Sequence, residues 1–442
     1  MTSRSDLTEA ARSGTPQGPL RVLLVPPLYG GSLPVARFCG RALAGMGHMV
    51  ETFEAPDFHG AFSALKGLRV TSERLTHLEN AFLGVISQAI LAKVETFEPD
   101  LVLALAQAPL GAQALRRLRR DGVPTAMWFV EDWRVFTYWR AYAPLYDFFA
   151  VIQEDPFLGE LAAAGQPNAL YLPLAADPQF HRPLDLTPGE RRTWGAQVGF
   201  MGAGYPNRRA AFRRLAHHDF KIWGTEWEGD AALARRVQMR GRRVSPEECV
   251  KIFNATLVNL NLHSSVQADN PVPPGDFVNP RTFELAACGA FQLVDRRGLM
   301  DDLFWSDELA TFQTLEELDE RIAYFLEHPE ERLEYARRGR ERVLADHTYT
   351  HRMAALLAFV AQRRPGWPAP RKSARALDGL PEPLRAQVVE LLDRLGLGAD
   401  TTFDDLVWAV RQRQGELTEV ETAVLFLDEW RRQYGAKPAE PS

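Results

Sequence analysis

The chain has 442 residues, of which 46% are apolar and 24% are charged. Since a domain averages about 150 residues, this length predicts two or three domains, and the composition excludes general disorder. The net charge of −6, from 51 basic and 57 acidic residues, provides no broad field for a phosphate backbone, so nucleic acid is not an expected partner.

Cysteine usage and hydropathy indicate the cellular compartment of the protein. The three cysteines, Cys39, Cys249 and Cys288, are far apart and have no ligand-like spacing, so we predict neither a disulfide framework nor a zinc site. Residues 1–19 are polar and typical of a disordered leader, and no stretch approaches about 18 continuous apolar residues. We therefore expect a cytoplasmic protein with no transmembrane segment.

Apolar runs alternate with helical patterns between residues 20 and 174. The runs are RVLLVPP, HMVETFE, DLVLALAQ, PTAMWFVED, DFFAVI and NALYLPL. Continuous apolar strands separated by helices are typical of a parallel sheet. We predict a Rossmann-like domain over 20–174, followed by a proline-rich linker over 175–196.

The same alternation restarts after the linker. AQVGFM, FKIWG, ATLVNLNL and AFQLVD are predicted strands, and helical patterns separate them. This predicts a second doubly wound domain over 197–348 and a closing helix over 349–364. Residues 375–435 then form three amphipathic patterns, which suggest a small module that packs or binds a protein partner.

A glycine-containing turn follows the first strand of the second domain. Gly202 and Gly204 lead into a helix whose first turn carries Asn207, Arg208 and Arg209. Glycines let backbone N–H groups approach an anion, the helix N-terminus attracts negative charge, and arginine donates several hydrogen bonds. This pattern predicts a diphosphate site, although any tight strand-to-helix turn also favours glycine.

Two carboxylates lie eight residues apart further along the second domain. Asp276 lies in a Pro/Gly-rich loop, and Glu284 lies in the first turns of a helix that Pro280 begins. Each can accept hydrogen bonds from sugar hydroxyls, and Arg281 beside them can balance diphosphate charge. A glutamate in a first helical turn also complements the helix dipole, so the pattern has a structural alternative.

Three further polar residues follow predicted strands. His263 can donate to a phosphate or ring oxygen, or it can be a loop histidine satisfied by its neighbours. In the first domain, Glu131 and Asp132 follow the strand PTAMWFV, where a carboxylate can act as a general base towards a hydroxyl group. Asp132 also suits a helix cap, and the aromatic residues around it suit either sugar stacking or a core.

The segments GFMGAGYPNRR, FKIWG, NLNLHSS and NPRTFELAACGAFQLVD together resemble a known family. They resemble the second domain of group 1 nucleotide-sugar-dependent glycosyltransferases of the GT-B fold. More narrowly, they resemble CgeB-type glycosyltransferase-like proteins, named for a spore maturation protein. The resemblance spans about residues 20–360 and is closer in the second domain.

The resemblance implies roles for individual residues. Glu284 would hydrogen-bond the donor ribose, Asp276 would face the sugar or its phosphates, and Arg281 with the loop from Gly202 to Arg208 would contact the diphosphate. The first acidic position is usually glutamate in the family, and here it is the shorter Asp276. The first domain would bind the acceptor.

The implied activity is transfer of a hexose-type sugar from a nucleotide-diphosphate donor to a hydroxyl group. The acceptor is a glycan, a lipid-linked glycan or a protein. We expect no cofactor and no metal, because no Asp-x-Asp motif follows a strand at the predicted cleft. A nucleotide-sugar epimerase and a non-catalytic GT-B-like scaffold remain as alternatives.

Overall fold

The computed structural model describes residues 18–369, 375–413 and 415–434. The chain divides into two compact units, and the division follows Pro368. The first unit contains two separate parallel β-sheets, and the second is helical.

The first sheet has six parallel strands in the order β2-β1-β3-β4-β5-β6. Their bounds are β1 Arg21–Val25, β2 Met49–Thr52, β3 Leu101–Leu105, β4 Thr125–Phe129, β5 Phe148–Val151 and β6 Ala169–Tyr171. Every residue of β1, β3, β4 and β5 is buried, because helices cover both faces of the sheet. This confirms the doubly wound first half.

Six helices connect these strands. They are α1 Ser32–Gly45, α2 His59–Lys66, α3 Ser72–Phe97, α4 Ala112–Arg120, the single turn α5 Trp139–Tyr142 and α6 Phe157–Ala163. Helix α3 begins where the Thr71 side chain accepts a hydrogen bond from the N–H of Arg74, and it ends at Glu98 in the left-handed conformation. Short 3₁₀ turns cover Ala55–Phe58 and Ala143–Leu145.

The second sheet has five parallel strands in the order β11-β10-β9-β7-β8. Their bounds are β7 Ala196–Met201, β8 Phe220–Trp223, β9 Thr256–Asn261, β10 Gln292–Asp295 and β11 Ala310–Phe312. The strand order reverses between β7 and β9, and ligands in open α/β sheets bind outside the carboxyl ends of strands at such a point. The loops after β7 and β9 are therefore the parts of this domain to examine.

The helices of the second half follow the same alternation. They are α7 Pro188–Trp194, α8 Pro206–Arg214, α9 Pro246–Ala255, α10 Pro280–Ala287, α11 Leu315–Glu327, α12 Pro329–Asp346 and α13 Tyr349–Arg363, with a 3₁₀ turn at Gln238–Gly241. Helix α7 lies inside residues 175–196, the segment predicted as a proline-rich linker. A capping box between Thr187 and Glu190 starts this helix.

Helix α13 returns the chain to the first domain and packs against α1. Its Arg352 guanidinium is buried and donates to the carbonyl oxygens of Pro173 and Leu174, at 2.6 and 3.0 Å. Beside it, Ala176 and Thr348 form a parallel bridge, so the two crossings between the domains run next to each other. The domains share one core cluster, which includes Trp128 and Phe283.

In the described part of the second unit, the helices are α14 Glu382–Leu395, α15 Phe403–Arg411 and α16 Glu419–Tyr434. They enclose a small apolar core that includes Leu391, Leu406 and Val424. The buried Glu421 carboxylate lies 3.3 Å from the Arg394 guanidinium. Within the described ranges, no helix of the chain is long and apolar enough to cross a bilayer.

Candidate functional site

A cavity of about 330 Å³ opens between the two sheets of the first unit. It lies at the carboxyl ends of β7 and β8, and β7 is one of the two strands between which the strand order reverses. Residues from the first domain and the interdomain crossing line one side, and residues from the second domain line the other: Gly31, Pro34, Val35, Phe38, Phe180, His181, Met201, Gly202, Ala203, Gly224, Thr225, Arg243, Val244, Pro246, Cys249, Phe253, Pro280, Arg281 and Glu284.

Glu284 and Arg281 face this cavity from the first turns of α10. Oε2 of Glu284 accepts a hydrogen bond from Nε of Arg281 at 3.0 Å. Nη1 of Arg281 also donates to the Met201 carbonyl at 2.6 Å, and its guanidinium lies over the Phe253 ring. These contacts fix both side chains, while Oε1 of Glu284 accepts no hydrogen bond from the described residues. The carboxylate is therefore positioned for a ligand.

His181 lies opposite that free oxygen. Its Nδ1 accepts a hydrogen bond from the N–H of Asp177 at 3.2 Å, so the neutral ring carries its proton on Nε2. Nε2 lies 3.9 Å from Oε1 of Glu284, which is too long for a direct hydrogen bond. Burial lowers the pKa of His181 despite the nearby carboxylates, so the ring stays neutral at pH 7.

Arg243 adds a second cation to the cavity wall. It is exposed, and its guanidinium forms no hydrogen bond or ion pair with any described residue. Sequence reasoning missed Arg243 and His181. Arg243 belongs to the segment between β8 and α9, which has no apolar period, and His181 belongs to the predicted linker.

The glycine turn has a mainly structural function in this structure. A Cβ at Gly204 would lie 2.1 Å from the Glu226 carbonyl oxygen, and one at Gly202 would lie 2.9 Å from the Phe200 ring. The Gly202 N–H donates to the Trp223 carbonyl at 2.9 Å, so this N–H is not free for a phosphate. Gly202 lines the cavity, and Gly204 does not.

Asn207 is fully buried beside this turn. Its amide nitrogen donates to the carbonyls of His263 and Pro271 at 2.9 and 3.1 Å, and its amide oxygen accepts from the N–H of Ser265 at 2.8 Å. The side chain thus ties α8 to the loop after β9. A direct contact between Asn207 and a donor, which we had expected, has no support in this geometry.

Arg208 lies behind the cavity wall. Its guanidinium donates to the carbonyls of Leu262 and Ala203, at 2.9 and 3.1 Å. Burial, together with the charge of nearby Arg281, lowers the pKa of Arg208 to about 10. Two mutually repelling cations therefore lie near the glycine turn, and an anion placed beside them would be stabilised.

His263 is buried, and both of its ring nitrogens have partners. Nδ1 lies 2.7 Å from Oδ1 of Asp295, and Nε2 accepts the N–H of Asn279 at 2.9 Å. Nδ1 must therefore donate to Asp295, whose second oxygen accepts from Nη1 of Arg297 at 3.1 Å. His263 supports the start of α10 and does not line the cavity, which favours the loop-histidine alternative.

Asp276 lies outside the cavity lining and contacts the first domain. Its Oδ1 accepts from Nε2 of Gln153 at 2.8 Å, and its Oδ2 accepts from Nη1 of Arg134 at 3.1 Å. Burial acts to raise the pKa of Asp276, but the hydrogen bonds from Gln153, Arg134 and the Phe277 N–H, together with the Arg134 charge, outweigh it, and the net pKa is lowered. We call Asp132, Arg134, Gln153 and Asp276 the cross-domain cluster.

Asp132 and Glu131 differ in how much of each carboxylate is occupied. Oδ1 of Asp132 accepts from the N–H of Arg134 at 3.0 Å and from Nε2 of Gln153 at 3.3 Å, whereas Oδ2 accepts from none of the described residues. Both oxygens of Glu131 are occupied, by the Tyr138 hydroxyl and the Gln107 amide. Burial raises the pKa of Glu131 above its usual value despite these bonds.

The sequence left two questions about the loop that contains Asp132: whether Asp132 caps a helix, and whether the nearby aromatic residues stack on a sugar or form a core. Asp132 does not cap a helix here; it accepts hydrogen bonds within a turn. Trp133 stacks on Phe157 with ring centroids 5.2 Å apart, and the buried Trp139 packs edge-on against Phe157. These aromatic residues therefore form core packing.

Comparisons with known proteins agree with this architecture. The family model described as "Glycosyl transferase-like" matches residues 208–358. The spore protein CgeB of Bacillus subtilis (strain 168) is 24% identical over 295 residues, which cover 64% of this chain and 90% of CgeB.

Solved structures extend the agreement to both sheets. Sucrose-phosphate synthase tll1590 of Thermosynechococcus elongatus is 15% identical and superposes with a TM-score of 0.52, covering 78% of this chain and 98% of the synthase. Anabaena Alr3699/HepE, solved in complex with UDP-glucose, is 12% identical with a TM-score of 0.52. This superposition covers 78% of this chain and 100% of the HepE chain. With the two parallel sheets described above, these likenesses show that the chain has the GT-B fold.

Proposed function

We propose that this protein is a glycosyltransferase that moves a sugar from a nucleotide-diphosphate donor to a hydroxyl acceptor. The observation that carries the proposal is the Glu284 carboxylate, held by Arg281 with one oxygen open to a cavity of about 330 Å³. The family match over residues 208–358 includes this helix and supports the same assignment.

The nucleoside of the donor binds at Glu284 and His181 in this proposal. Oε1 of Glu284 and Nε2 of His181 lie 3.9 Å apart, so one ribose hydroxyl can bridge them. The hydroxyl donates to Oε1 and accepts from Nε2. Both protein groups are already fixed by neighbouring bonds, so little side-chain entropy is lost on binding.

The diphosphate binds beside Arg281 and Arg243. Arg281 is fixed over Phe253, whereas the exposed Arg243 has no partner among the described residues and is free to pair with a phosphate. Arg208 contributes positive charge from behind the glycine turn without contacting the ligand. Charge-assisted hydrogen bonds of this kind are about twice as strong as neutral ones.

Transfer then proceeds by displacement at the anomeric carbon. The acceptor oxygen forms the new bond to this carbon as the bond to the phosphate oxygen breaks, and the electron pair leaves with the nucleoside diphosphate. In an inverting reaction, Oδ2 of Asp132 takes the proton of the acceptor hydroxyl. We choose Asp132 over Glu131 because the described residues leave one oxygen of Asp132 open.

We further propose that the diphosphate leaves without a bound metal ion. Among the described residues that line the cavity, Glu284 is the single carboxylate, and Arg281 already neutralises it. Mg²⁺ in phosphate sites is usually held by one or two carboxylates together with substrate phosphates. Here Arg243, with the positive charge of Arg208 behind the glycine turn, takes over the neutralising role.

A thermal-shift screen over nucleoside diphosphates and their sugars tests the proposal. A ligand present at 100 times its dissociation constant should stabilise the protein by about 2.7 kcal/mol. Glu284→Ala should abolish this shift. Glu341→Ala, which removes an exposed carboxylate on α12, should keep it.

Products separate the alternatives. When the protein is incubated with a nucleotide sugar alone, little isomer of that sugar should form. Formation of an isomer without free nucleotide would identify an epimerase. If the protein neither binds a donor nor turns it over, it is a non-catalytic scaffold. Donor binding that is unchanged in Glu284→Ala contradicts the assignment of the cavity.

A further inference from the structure

A cluster of two histidines and one aspartate lies on the second domain, away from the cavity. His217 and His218 follow α8 and precede β8, and Asp319 lies in α11. The cavity is at the carboxyl end of β8, at Gly224 and Thr225, whereas the two histidines are at its amino end. The cluster is therefore separate from the proposed donor site.

The three side chains converge on one point. Nε2 of His217 and Nε2 of His218 lie 2.9 and 2.6 Å from the same oxygen of Asp319. One candidate ligand atom from each residue lies within 4.8 Å of the other two. Ligand atoms around a tetrahedral zinc ion, each about 2.0–2.2 Å from the metal, are roughly 3.3 Å apart, so small side-chain rotations suffice.

The hydrogen bond on the far side of His217 fixes its tautomer. Nδ1 lies 3.2 Å from the Arg214 carbonyl oxygen, which can only accept, so Nδ1 carries a proton. In the neutral ring, Nε2 then presents a lone pair to the Asp319 carboxylate, an arrangement that a cation between them stabilises. An outer Nδ1–H to carbonyl bond is the usual way in which a metal-binding histidine is oriented.

The charged groups around Asp319 do not fully neutralise its carboxylate, so a cation can bind there. The two imidazole rings have centroids 4.2 Å apart, so two protonated rings would repel each other. Arg214 pairs with Glu316 and so does not neutralise Asp319. The second oxygen of Asp319 accepts from no described residue, and its side chain is 43% exposed, which leaves an entry path from solvent.

We propose that His217, His218 and Asp319 bind a divalent transition-metal ion, with zinc as the reference case. Two imidazoles and a carboxylate suit Zn²⁺, Co²⁺ or Ni²⁺ better than Mg²⁺ or Ca²⁺, which prefer oxygen ligands. Water completes the coordination. The ion would link the turn between α8 and β8 to α11, and it stabilises the domain independently of sugar transfer.

Calorimetric titration of the full chain with ZnCl₂, after treatment with chelator, tests this site. We expect one high-affinity zinc ion per chain and an increase in Tm on binding. Asp319→Asn keeps a hydrogen-bond acceptor for the histidines but weakens ligation, so zinc affinity should fall at least about 10-fold, the lower end of losses for altered metal surroundings.

His217→Ala should reduce zinc affinity similarly, because the side chain is 58% exposed and its removal leaves no core defect. The exposed His77 in α3 provides the matched control, and His77→Ala should bind zinc as the unaltered chain does. Equal zinc affinity in the unaltered chain, Asp319→Asn and His217→Ala overturns the proposal, as does the absence of stoichiometric binding.

Discussion

The cavity around Glu284 and the cross-domain cluster around Asp276 present carboxylates in opposite ways. Glu284 keeps one oxygen open to a cavity, and Arg281, which holds the other oxygen, belongs to the same domain. Asp276, eight residues earlier, is engaged by Gln153 and Arg134 of the other domain. The cavity thus leaves a carboxylate oxygen available to a ligand, while the cluster joins the two halves.

This difference separates donor binding from turnover in the proposed mechanism. Changes at the cavity should alter donor affinity, because Glu284 and Arg243 face the ligand in both ground and transition states. Changes at the cluster should alter turnover, because Asp132 acts on the acceptor proton and is positioned by Gln153. The following variants test whether donor binding and turnover are separate in this way.

Asp132→Asn should have the largest effect. A general base contributes about 10²- to 10⁴-fold to the rate, so kcat should fall by that range while the donor-induced thermal shift is retained. Steady-state kinetics with a saturating donor measures this. Glu131→Gln is the comparison variant, since both oxygens of Glu131 are already bonded, and its kcat should fall less. A larger loss in Glu131→Gln would reverse the assignment of the base.

Arg243→Ala should weaken nucleoside-diphosphate binding. A hydrogen bond to a charged group is worth about 1.5–3 kcal/mol, which corresponds to roughly 10- to 100-fold in Kd. Isothermal titration measures the change. Arg235→Ala removes an exposed arginine of the same segment that lines no described cavity, and it should bind the diphosphate normally. Similar losses in both variants would point to a general charge effect.

Gln153→Ala should lower both stability and kcat. The buried amide donates to Asp132 and Asp276, and removing it leaves two carboxylates without their shared donor, at a cost of about 1–3 kcal/mol in the free energy of unfolding. Gln166→Ala is the matched control, because this buried glutamine of the first domain donates only to backbone carbonyls.

The readout that distinguishes positioning from stability is kcat at a temperature where both variants remain folded. Gln153→Ala should have a lower kcat with a nearly unchanged KM for the donor, whereas Gln166→Ala should change neither. If the two variants have the same kcat, Gln153 is structural only.

Acid should destabilise the fold modestly below pH 6.5. Burial lowers the pKa of His181 and of His263, so each binds its proton less readily in the folded state than in the unfolded state, where the pKa is about 6.5. The stability is complete above about pH 6.5 and falls as the pH drops towards the folded pKa values, by at most about 1.4 kcal/mol per pH unit per histidine.

Urea unfolding between pH 7.5 and 5.5 measures this slope. His263→Asn should reduce the slope, and His77→Ala, at an exposed position, should leave it unchanged. A slope of the opposite sign would mean that the buried rings are charged in the folded protein.

The alternation of apolar strands and helices predicted both sheets, because buried parallel strands need continuous apolar runs. The spacing around Pro280 likewise placed Glu284 and Arg281 on one helix, and the structure directs both into the cavity. Such predictions depend on residues that are close in sequence. The capping box of α7 was equally local and could have been found from Thr187 and Glu190.

Residues whose surroundings come from distant segments were harder to predict. The Asn207 amide donates to the carbonyl of His263, which is 56 residues later, and Asp276 accepts from Gln153, which is 123 residues earlier. The same residue types suit a ligand site or a structural bond, and only the fold decides between them. Arg243 was missed for the related reason that no local pattern marks its segment.

The paired crossings at Ala176 and Thr348 bear on how the two halves fold. Because α13 covers α1, and Arg352 donates to carbonyls near the end of the first sheet, the last part of the 18–368 region completes the first domain. The first domain is therefore not contiguous in sequence, and a fragment that ends before residue 349 would expose the apolar surface of α1 and lose the partner of those carbonyls. We therefore expect the packing of the first domain to be completed only after the second has been synthesised.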